Sequence, residues 1–237
     1  MFKTIAKVKK LKSQAFKMKI QNENLPVFGG MKMKMNKTLR VVPAENKWGE
    51  LANLMDLVKQ LVNLNYSALL SYRRQYLDEG EKAAKKFDLL GRSLLGNISN
   101  NPEYAGSSAN LLKSIKIISG MKEEQYKLLQ LIREKNKDGI LFSRKGLAEV
   151  KELCMLVEEL CIHSIDYLVT KNPLLQKQID ALIQEGSQKA RNFSTEHEER
   201  LIKGICMPKA SNLYLQMMER IKGHFTYLNQ LTADRDN

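Results

Sequence analysis

The stretch Glu196-His-Glu-Glu-Arg-Leu-Ile-Lys-Gly-Ile-Cys-Met-Pro-Lys-Ala-Ser211 decides how this chain is read. Its first half continues a helical pattern. Lys203-Gly204 breaks that pattern, because glycine accepts the left-handed conformation in which helices end. Pro208 then opens a new helix, where its missing N–H costs nothing. Two helices therefore meet at a short turn. Upstream, Asn172-Pro173 signals another helix start, with Asn as the cap and Pro at the first helical position. Asn136-Lys-Asp-Gly139 is a turn signal that divides the chain near its middle.

Between these marks the apolar residues recur at helical spacing. Leu51, Leu54, Leu57, Val58, Leu61, Val62, Leu64 and Leu69 form the stripe of a first helix running from Lys47 to about Tyr76. Gly80 marks its break. A second helix is expected over about 81–95, with Ala84, Phe87, Leu90 and Leu94 inward. A polar connector follows over 97–108, then a third helix over about 109–135. The fourth is expected over about 143–169, with Leu147, Val150, Leu153, Leu156, Val157, Leu160 and Ile165 inward. The fifth runs from Pro173 to about Ile202 and the sixth from Pro208 to about Leu231. The spacing predicts an all-α protein made of two pseudo-repeated antiparallel three-helix bundles, over 47–135 and 142–232. Composition agrees: straight-chain residues abound, and only five prolines and 13 glycines interrupt 237 residues.

Residues 1–46 differ. They carry eleven Lys or Arg against Glu23 and Glu45, a net of +9 out of the chain's +13. Phe2, Ile5, Val8, Leu11, Ala15 and Phe16 recur at roughly helical spacing among Lys3, Lys7, Lys9, Lys10, Lys12, Lys17 and Lys19. Met31-Lys-Met-Lys-Met35 alternates with period two, which suits a strand or extended arm. A basic amphipathic arm of this kind suits an anionic membrane surface, and less well a nucleic acid, because stacking aromatics are few. No apolar run approaches the roughly 20 residues that span a bilayer, and the basic start lacks the apolar core of a secretory signal. The expectation is a cytoplasmic chain, at the inner face of the plasma membrane. Three cysteines, an odd number, fit that compartment.

The segment quoted first, with its His, Arg-Leu, Lys-Gly, Cys and Pro, resembles the last helix-turn-helix of PhoU-like domains. The likeness is to the form fused to the C-terminus of bacterial sodium/phosphate cotransporters. Phe142-Ser-Arg-Lys-Gly-Leu-Ala-Glu-Val-Lys-Glu-Leu153 resembles the start of the repeat's first helix. Pro173-Leu-Leu-Gln-Lys-Gln-Ile-Asp-Ala-Leu182 resembles the start of its second. In the first half the likeness is confined to layout and to Leu112-Lys-Ser-Ile-Lys-Ile-Ile-Ser119. The resemblance implies a PhoU-like domain over 47–232. It implies a non-enzymatic regulatory or interaction module linked to phosphate transport, acting by contact with a membrane phosphate transporter. A helical nucleic-acid-associated protein using the basic arm is the alternative.

The family carries Glu-Arg-Ile-Gly-Asp-His on its third and sixth helices, with Glu and Asp one turn apart as oxygen ligands for a cation. Here the pair is broken. Counted from Pro208, its positions fall on Lys222 and Thr226. In the local likeness Glu219-Arg-Ile-Lys-Gly-His224, Glu219 remains and Gly223 replaces the Asp. In the first half the positions fall on Lys122 and Tyr126. A lysine puts positive charge where the cation would sit, so no metal and no other cofactor is expected.

The remaining candidates read mostly as structure. Cys154 and Cys161 are seven residues apart and share a helix face, but His163 lies about 180° from Cys154. The cysteines read as small buried hydrophobes. His197, flanked by carboxylates, suits a base or ligand but reads first as an exposed residue near a helix end. His224 and Met217-Met218 read as structural. Tyr66, Leu69 and Tyr72 are the apolar residues left over for a homodimer interface. No phosphate-binding glycine loop, metal-ligand spacing or nucleophile motif is present, so nothing points to catalysis.

Overall fold

The computed structural model describes residues 47–104 and 106–233. The basic arm, with Phe2, Phe16 and the seven lysines from Lys3 to Lys19, and the alternating Met31–Met35 segment lie outside the described residues. Six long helices make up almost all of the rest: α1 (Lys47–Ser71), α2 (Arg74–Asn100), α3 (Ser108–Lys137), α4 (Arg144–Thr170), α5 (Pro173–Ile202) and α6 (Pro208–Ala233). One short 3-10 turn, Pro102–Tyr104, joins α2 to α3. No strand occurs among the described residues.

The helices form two three-helix units. In the first, α1 packs on α2 and α3; in the second, α4 packs on α5 and α6. The units join where α1 meets α4 and where α3 meets α6. Exchanging the units leaves this pattern of neighbours unchanged, as a pseudo-twofold arrangement requires. The α3/α6 crossing repeats the symmetry in detail. A Cβ on Gly120 would lie 2.5 Å from Tyr227 Cε1, and one on Gly223 would lie 3.3 Å from Glu124 Cγ. Each glycine faces the residue four positions beyond the other.

Position in the bundle explains each helix's pattern. Helix α1 touches three others and is apolar nearly all round, with Leu51, Leu54, Met55, Val58, Leu61, Val62 and Ala68 buried. Helices α2 and α5 lie outside and bury narrow stripes. In α2 the stripe is Leu77, Gly80, Ala84, Phe87, Gly91, Leu94 and Ile98. These intervals alternate between three and four, as in a coiled-coil seam. In α5, Ile179, Ile183, Gly186, Ala190 and His197 follow the same rhythm. One hydrophobic core runs through both units.

The first turn was misread from the sequence. Gly80 does not break a helix; it lies inside α2, where a Cβ would come 3.0 Å from Leu129 Cδ1. Its missing side chain serves close approach, not a turn. The break falls at Tyr72, whose φ of 55° is left-handed although it is not glycine. Tertiary bonds hold it there: Tyr72 Oη donates to the Ile140 carbonyl at 3.3 Å and receives Lys135 Nζ at 2.6 Å. Helix α2 consequently begins seven residues earlier and ends five later than the sequence spacing indicates.

The downstream signals meant what they said. Asn172 Oδ1 accepts the Leu174 N–H at 2.9 Å, and Ser143 Oγ accepts that of Gly146 at 3.1 Å. Gly139 and Gly204 have φ of 64° and 69°. Both close the same helix-ending motif. Ile140 N–H reaches the Lys135 carbonyl at 3.0 Å, and Ile205 N–H reaches that of Arg200 at 2.9 Å.

Candidate functional site at the α3–α4 and α5–α6 turns

These two reversals lie together at one end of the second unit. Leu141, Phe142, Ser143 and Gly146 from the first, and Ile205, Cys206, Met207 and Ala210 from the second, line one pocket of about 270 Å³. His197 and Tyr214 complete its wall.

Behind the wall stands a buried polar cluster. Glu149 projects from the inward stripe of α4 and is almost fully buried. Arg200 in the last turn of α5 grips it with two bonds, Nη1 to Oε1 at 3.0 Å and Nη2 to Oε2 at 2.8 Å. Tyr214 Oη donates to Glu149 Oε2 at 2.5 Å. Burial raises the Tyr214 pKa, and the Glu149 carboxylate raises it further, so the phenol stays protonated. Burial opposes the Arg200 charge, but bonds to Glu149 and the neighbouring Cys206 outweigh it and its pKa is raised. The ion pair is geometrically specific and shielded from water.

His197 is not the exposed residue its flanking carboxylates imply. It is only 4% exposed and stacks on Tyr214 with ring centroids 4.0 Å apart. The narrow stripe of α5 ends on it, so the heptad rhythm turns it inward while its neighbours reach water. Burial, then the adjacent Arg200 charge, lowers its pKa, so the ring is neutral near pH 7. Arg200 Nη2 lies 3.2 Å from His197 Nδ1. A guanidinium only donates, so Nδ1 accepts and the proton sits on Nε2. Nε2 is buried and has no partner among the described residues.

A second buried cation adjoins the site. Lys135 Nζ bonds Tyr72 Oη and lies 3.9 Å from the centre of that ring and 5.5 Å from that of Phe142. Phe142 in turn meets Tyr214 edge-on at 5.9 Å. Lys135 faces no carboxylate at ion-pair distance among the described residues, and burial lowers its pKa to about 8. Lys135 and Arg200 both sit in last turns, where helix carbonyls favour positive charge.

Outside the pocket the surface is apolar, with charged residues of both signs around it. Leu141 is 74% exposed, Ile202 86%, Ile205 67% and Met207 75%. Arg144, Lys203 and Lys209 stand on the same turns. Lys203 and Lys209 pair with Glu199 at 3.8 Å and Asp138 at 3.0 Å.

The broken motif positions lie elsewhere, on the α3/α6 crossing and its surroundings. Glu219 pairs with Lys222 at 3.3 Å, Thr226 is exposed, and Gly223 packs against Glu124. Lys122 is held by Asp88 at 2.8 Å and Glu123 at 2.7 Å, and Tyr126 packs against the core. Glu124 is bound by Arg220 at 3.0 Å and Lys127 at 3.2 Å. These residues do not fit the family's cation: lysines and a glycine stand at its ligand positions, and the nearby carboxylate is already neutralised. Among the described residues no three His, Cys, Asp or Glu side chains converge as a metal-binding group.

Cys154 and Cys161 are buried in the core, and burial pushes both thiols up to about 12. His163 is apart from them, near Glu159 at 3.6 Å and Gln178 at 3.2 Å. His224 lies in the centre of the bundle. Asn65 Nδ2 donates to Gln125 Oε1 at 2.6 Å, and the Gln125 amide meets His224 Nε2 at 2.8 Å. Burial lowers the His224 pKa to about 3, so this link between α1, α3 and α6 is uncharged. Of the residues expected at a dimer interface, Leu69 is buried and Tyr66 packs on the core; only Tyr72 is exposed.

Sequence reading missed Glu149, Tyr214, Lys135 and the role of Arg200. Glu149 carried a signal: it interrupts an apolar stripe between Gly146 and Val150, where a carboxylate needs a partner. No protein-family model, no curated protein and no solved structure matches this chain.

Proposed function

We propose that this chain is a non-enzymatic contact module of phosphate transport, working at an anionic membrane surface against a transporter of the sodium/phosphate type. The observation that carries this reading is the exposed crest of Leu141, Ile202, Ile205 and Met207 with basic side chains on the same two turns. Large aliphatic residues two-thirds or more exposed on adjacent turns are uncommon on a surface meant only for water. Arg144 beside them matches an anionic lipid surface in charge, as does the +9 carried by residues 1–46. Seating each aliphatic side chain in the interface contributes on the order of 1 kcal/mol, and each basic residue near the surface about as much. No helix of the described residues is long and apolar enough to cross a membrane. The link to phosphate transport rests on the resemblance of the 196–211 segment, which forms one of the two turns.

Vesicle co-sedimentation of the full chain tests this. Binding should be stronger to vesicles rich in phosphatidylglycerol than to phosphatidylcholine alone. Replacing Leu141, Ile205 and Met207 together by serine should weaken it at least about tenfold. Equal binding by the two proteins, or none by either, overturns the membrane contact. Vesicles carrying a bacterial sodium/phosphate cotransporter test the regulatory half. Unchanged phosphate uptake at saturating protein removes it.

A further inference from the structure

A groove of about 590 Å³ opens between α2 and α3. Its lining on α3 is Ile115 and Ser119, so it lies roughly 25 Å along that helix from the α3–α4 turn and the crest. The sequence explains why this seam is open while the matching one is shut. In the second unit Gly186 of α5 admits the Phe225 ring from α6. Phe225 stands two residues beyond Gly223, and the residue two beyond Gly120 is Lys122. A lysine thus holds the place of the ring. Its ammonium turns to Asp88 at 2.8 Å and Glu123 at 2.7 Å and leaves the seam unfilled. Gly91, in the buried stripe of α2, marks the result. A Cβ there would meet nothing within 4 Å, whereas Gly80 of the same stripe admits Leu129. Glycine weakens a helix interior, and no contact among the described residues uses the room this one leaves.

The floor of the groove is Phe87, Gly91 and Ile115, and Lys85 and Arg92 rim it. Lys116 stands next to Ile115 and is exposed. These three cations have no ion pair among the described residues, while Asp88 and Glu123 are engaged by Lys122. Leu89 is 63% exposed at the edge, and Leu112, one turn before Ile115, is 43% exposed. Charge decides among possible occupants. Residues 1–46 of the chain itself carry +9 and would be repelled. A second copy across a twofold axis would set Lys85, Arg92 and Lys116 against the same cations. A nucleic acid matches the charge but not the floor, whose one ring, Phe87, is buried and has no face free to stack on a base.

We propose that this groove docks an acidic amphipathic helix of a partner protein. Its apolar face seats over Gly91, and Asp or Glu on its flanks meet Lys85, Arg92 and Lys116. The dimensions suit that occupant. Lys85 to Leu95 spans about 15 Å of α2, roughly three turns, which is the reach of apolar anchors at i, i+4 and i+7. At roughly 30 Å³ for each non-hydrogen atom the volume holds about twenty, enough for the three or four apolar side chains on one face of such a helix. The groove uses neither the crest nor the basic arm.

Fluorescence anisotropy on the full chain, without membranes, tests this. The probe is a labelled, stapled helical peptide of about four turns, with leucines along one face and glutamates on both flanks. Its control carries lysines in place of the glutamates. The glutamate peptide should bind saturably and at least about tenfold tighter than the lysine peptide, by a margin that narrows as salt rises. Changing Lys85, Arg92 and Lys116 together to glutamate should invert that preference, which loss of folding alone would not do. The chain stays net positive after that change, so inversion reports the groove and not the whole molecule. Gly91→Leu puts a side chain into the open room and should weaken binding about tenfold or more. The charge reversal, made at exposed side chains, keeps the test decisive if Gly91→Leu does not fold. Absence of binding by the glutamate peptide overturns the proposal. So does equal binding of the two peptides, a preference that the charge reversal leaves intact, or binding that a folded Gly91→Leu leaves unchanged. Displacement of the peptide by an equal concentration of oligodeoxythymidine overturns it in favour of a nucleic-acid site. None of these outcomes touches the vesicle result, so the groove and the crest stand or fall separately.

Discussion

Replacing Lys135 by methionine should change how stability depends on pH. The ammonium is nearly inaccessible, and its polar partners are Tyr72 Oη at 2.6 Å and Asn136 Oδ1 at 3.4 Å. Burial lowers its pKa from 10.5 to about 8. The folded chain thus holds this proton less tightly than the unfolded chain does. Between pH 8 and 10.5 the unfolded state binds more protons, so stability from this group rises with pH across that window. Below pH 8 the group is charged in both states and its penalty is complete; above 10.5 it is neutral in both and the penalty is gone. The shift corresponds to about 3 kcal/mol. The methionine variant lacks the penalty at every pH. Its stability relative to the parent should therefore fall by about 3 kcal/mol from pH 7 to 10.5. At pH 7 the gain is partly offset by the lost contact with the Tyr72 ring. Urea denaturation of both proteins at half-unit pH steps measures the difference. Raised pKa values elsewhere, such as that of Tyr214, act on both proteins and cancel. Tyr72 is the coupled group, and repeating the comparison in a Tyr72→Phe background removes it. A difference flat to within about 1 kcal/mol across the window refutes the claim that an uncompensated ammonium is buried here.

Arg200→Leu should destabilise the protein by about 3–5 kcal/mol, because Glu149 is left buried without its partner. Replacing both residues by leucine should recover most of that loss in chemical denaturation, and a double variant as unstable as the single one contradicts the account. Gly186→Ala puts a Cβ into the Phe225 ring and should cost about 1–3 kcal/mol or more, whereas Gly91→Ala meets nothing within 4 Å and should gain about 0.5–1 kcal/mol; thermal melts separate the two. Changing Lys3, Lys7, Lys9, Lys10, Lys12, Lys17 and Lys19 to glutamine should cut binding to anionic vesicles by more than about 100-fold at low salt. Each lysine near such a surface contributes about 1 kcal/mol, and unchanged binding sets the arm aside.

Most of the helical layout was legible because its signals are local. Asn172-Pro173, Ser143, Gly139 and Gly204 act within a turn of themselves, so their chemistry is visible without a fold. Gly80 and Tyr72 show where that stops. A glycine in an apolar stripe has two uses, ending a helix or admitting a neighbour, and only the presence of Leu129 distinguishes them. Tyr72 breaks a helix through bonds to residues 63 and 68 positions away. The site divides in the same way. The 196–211 segment could be singled out from its own residues, but the pocket required the α3–α4 turn to come beside it. His197 was misjudged because its charged neighbours in sequence are not its neighbours in space.

The outer placement of α2 and α5 has a dynamic consequence. Each packs mainly on helices of its own unit, so either can come away without parting the α1/α4 and α3/α6 seams. Amide exchange should accordingly run fastest in these two helices and slowest in the inner four. His197 and Arg200 ride on α5. The buried histidine, and the cation that orients it, are therefore in place only while that outer helix is seated. Loosening of α5 should therefore be visible as loss of the buried Glu149–Arg200 pair, far along the chain from where the helix begins.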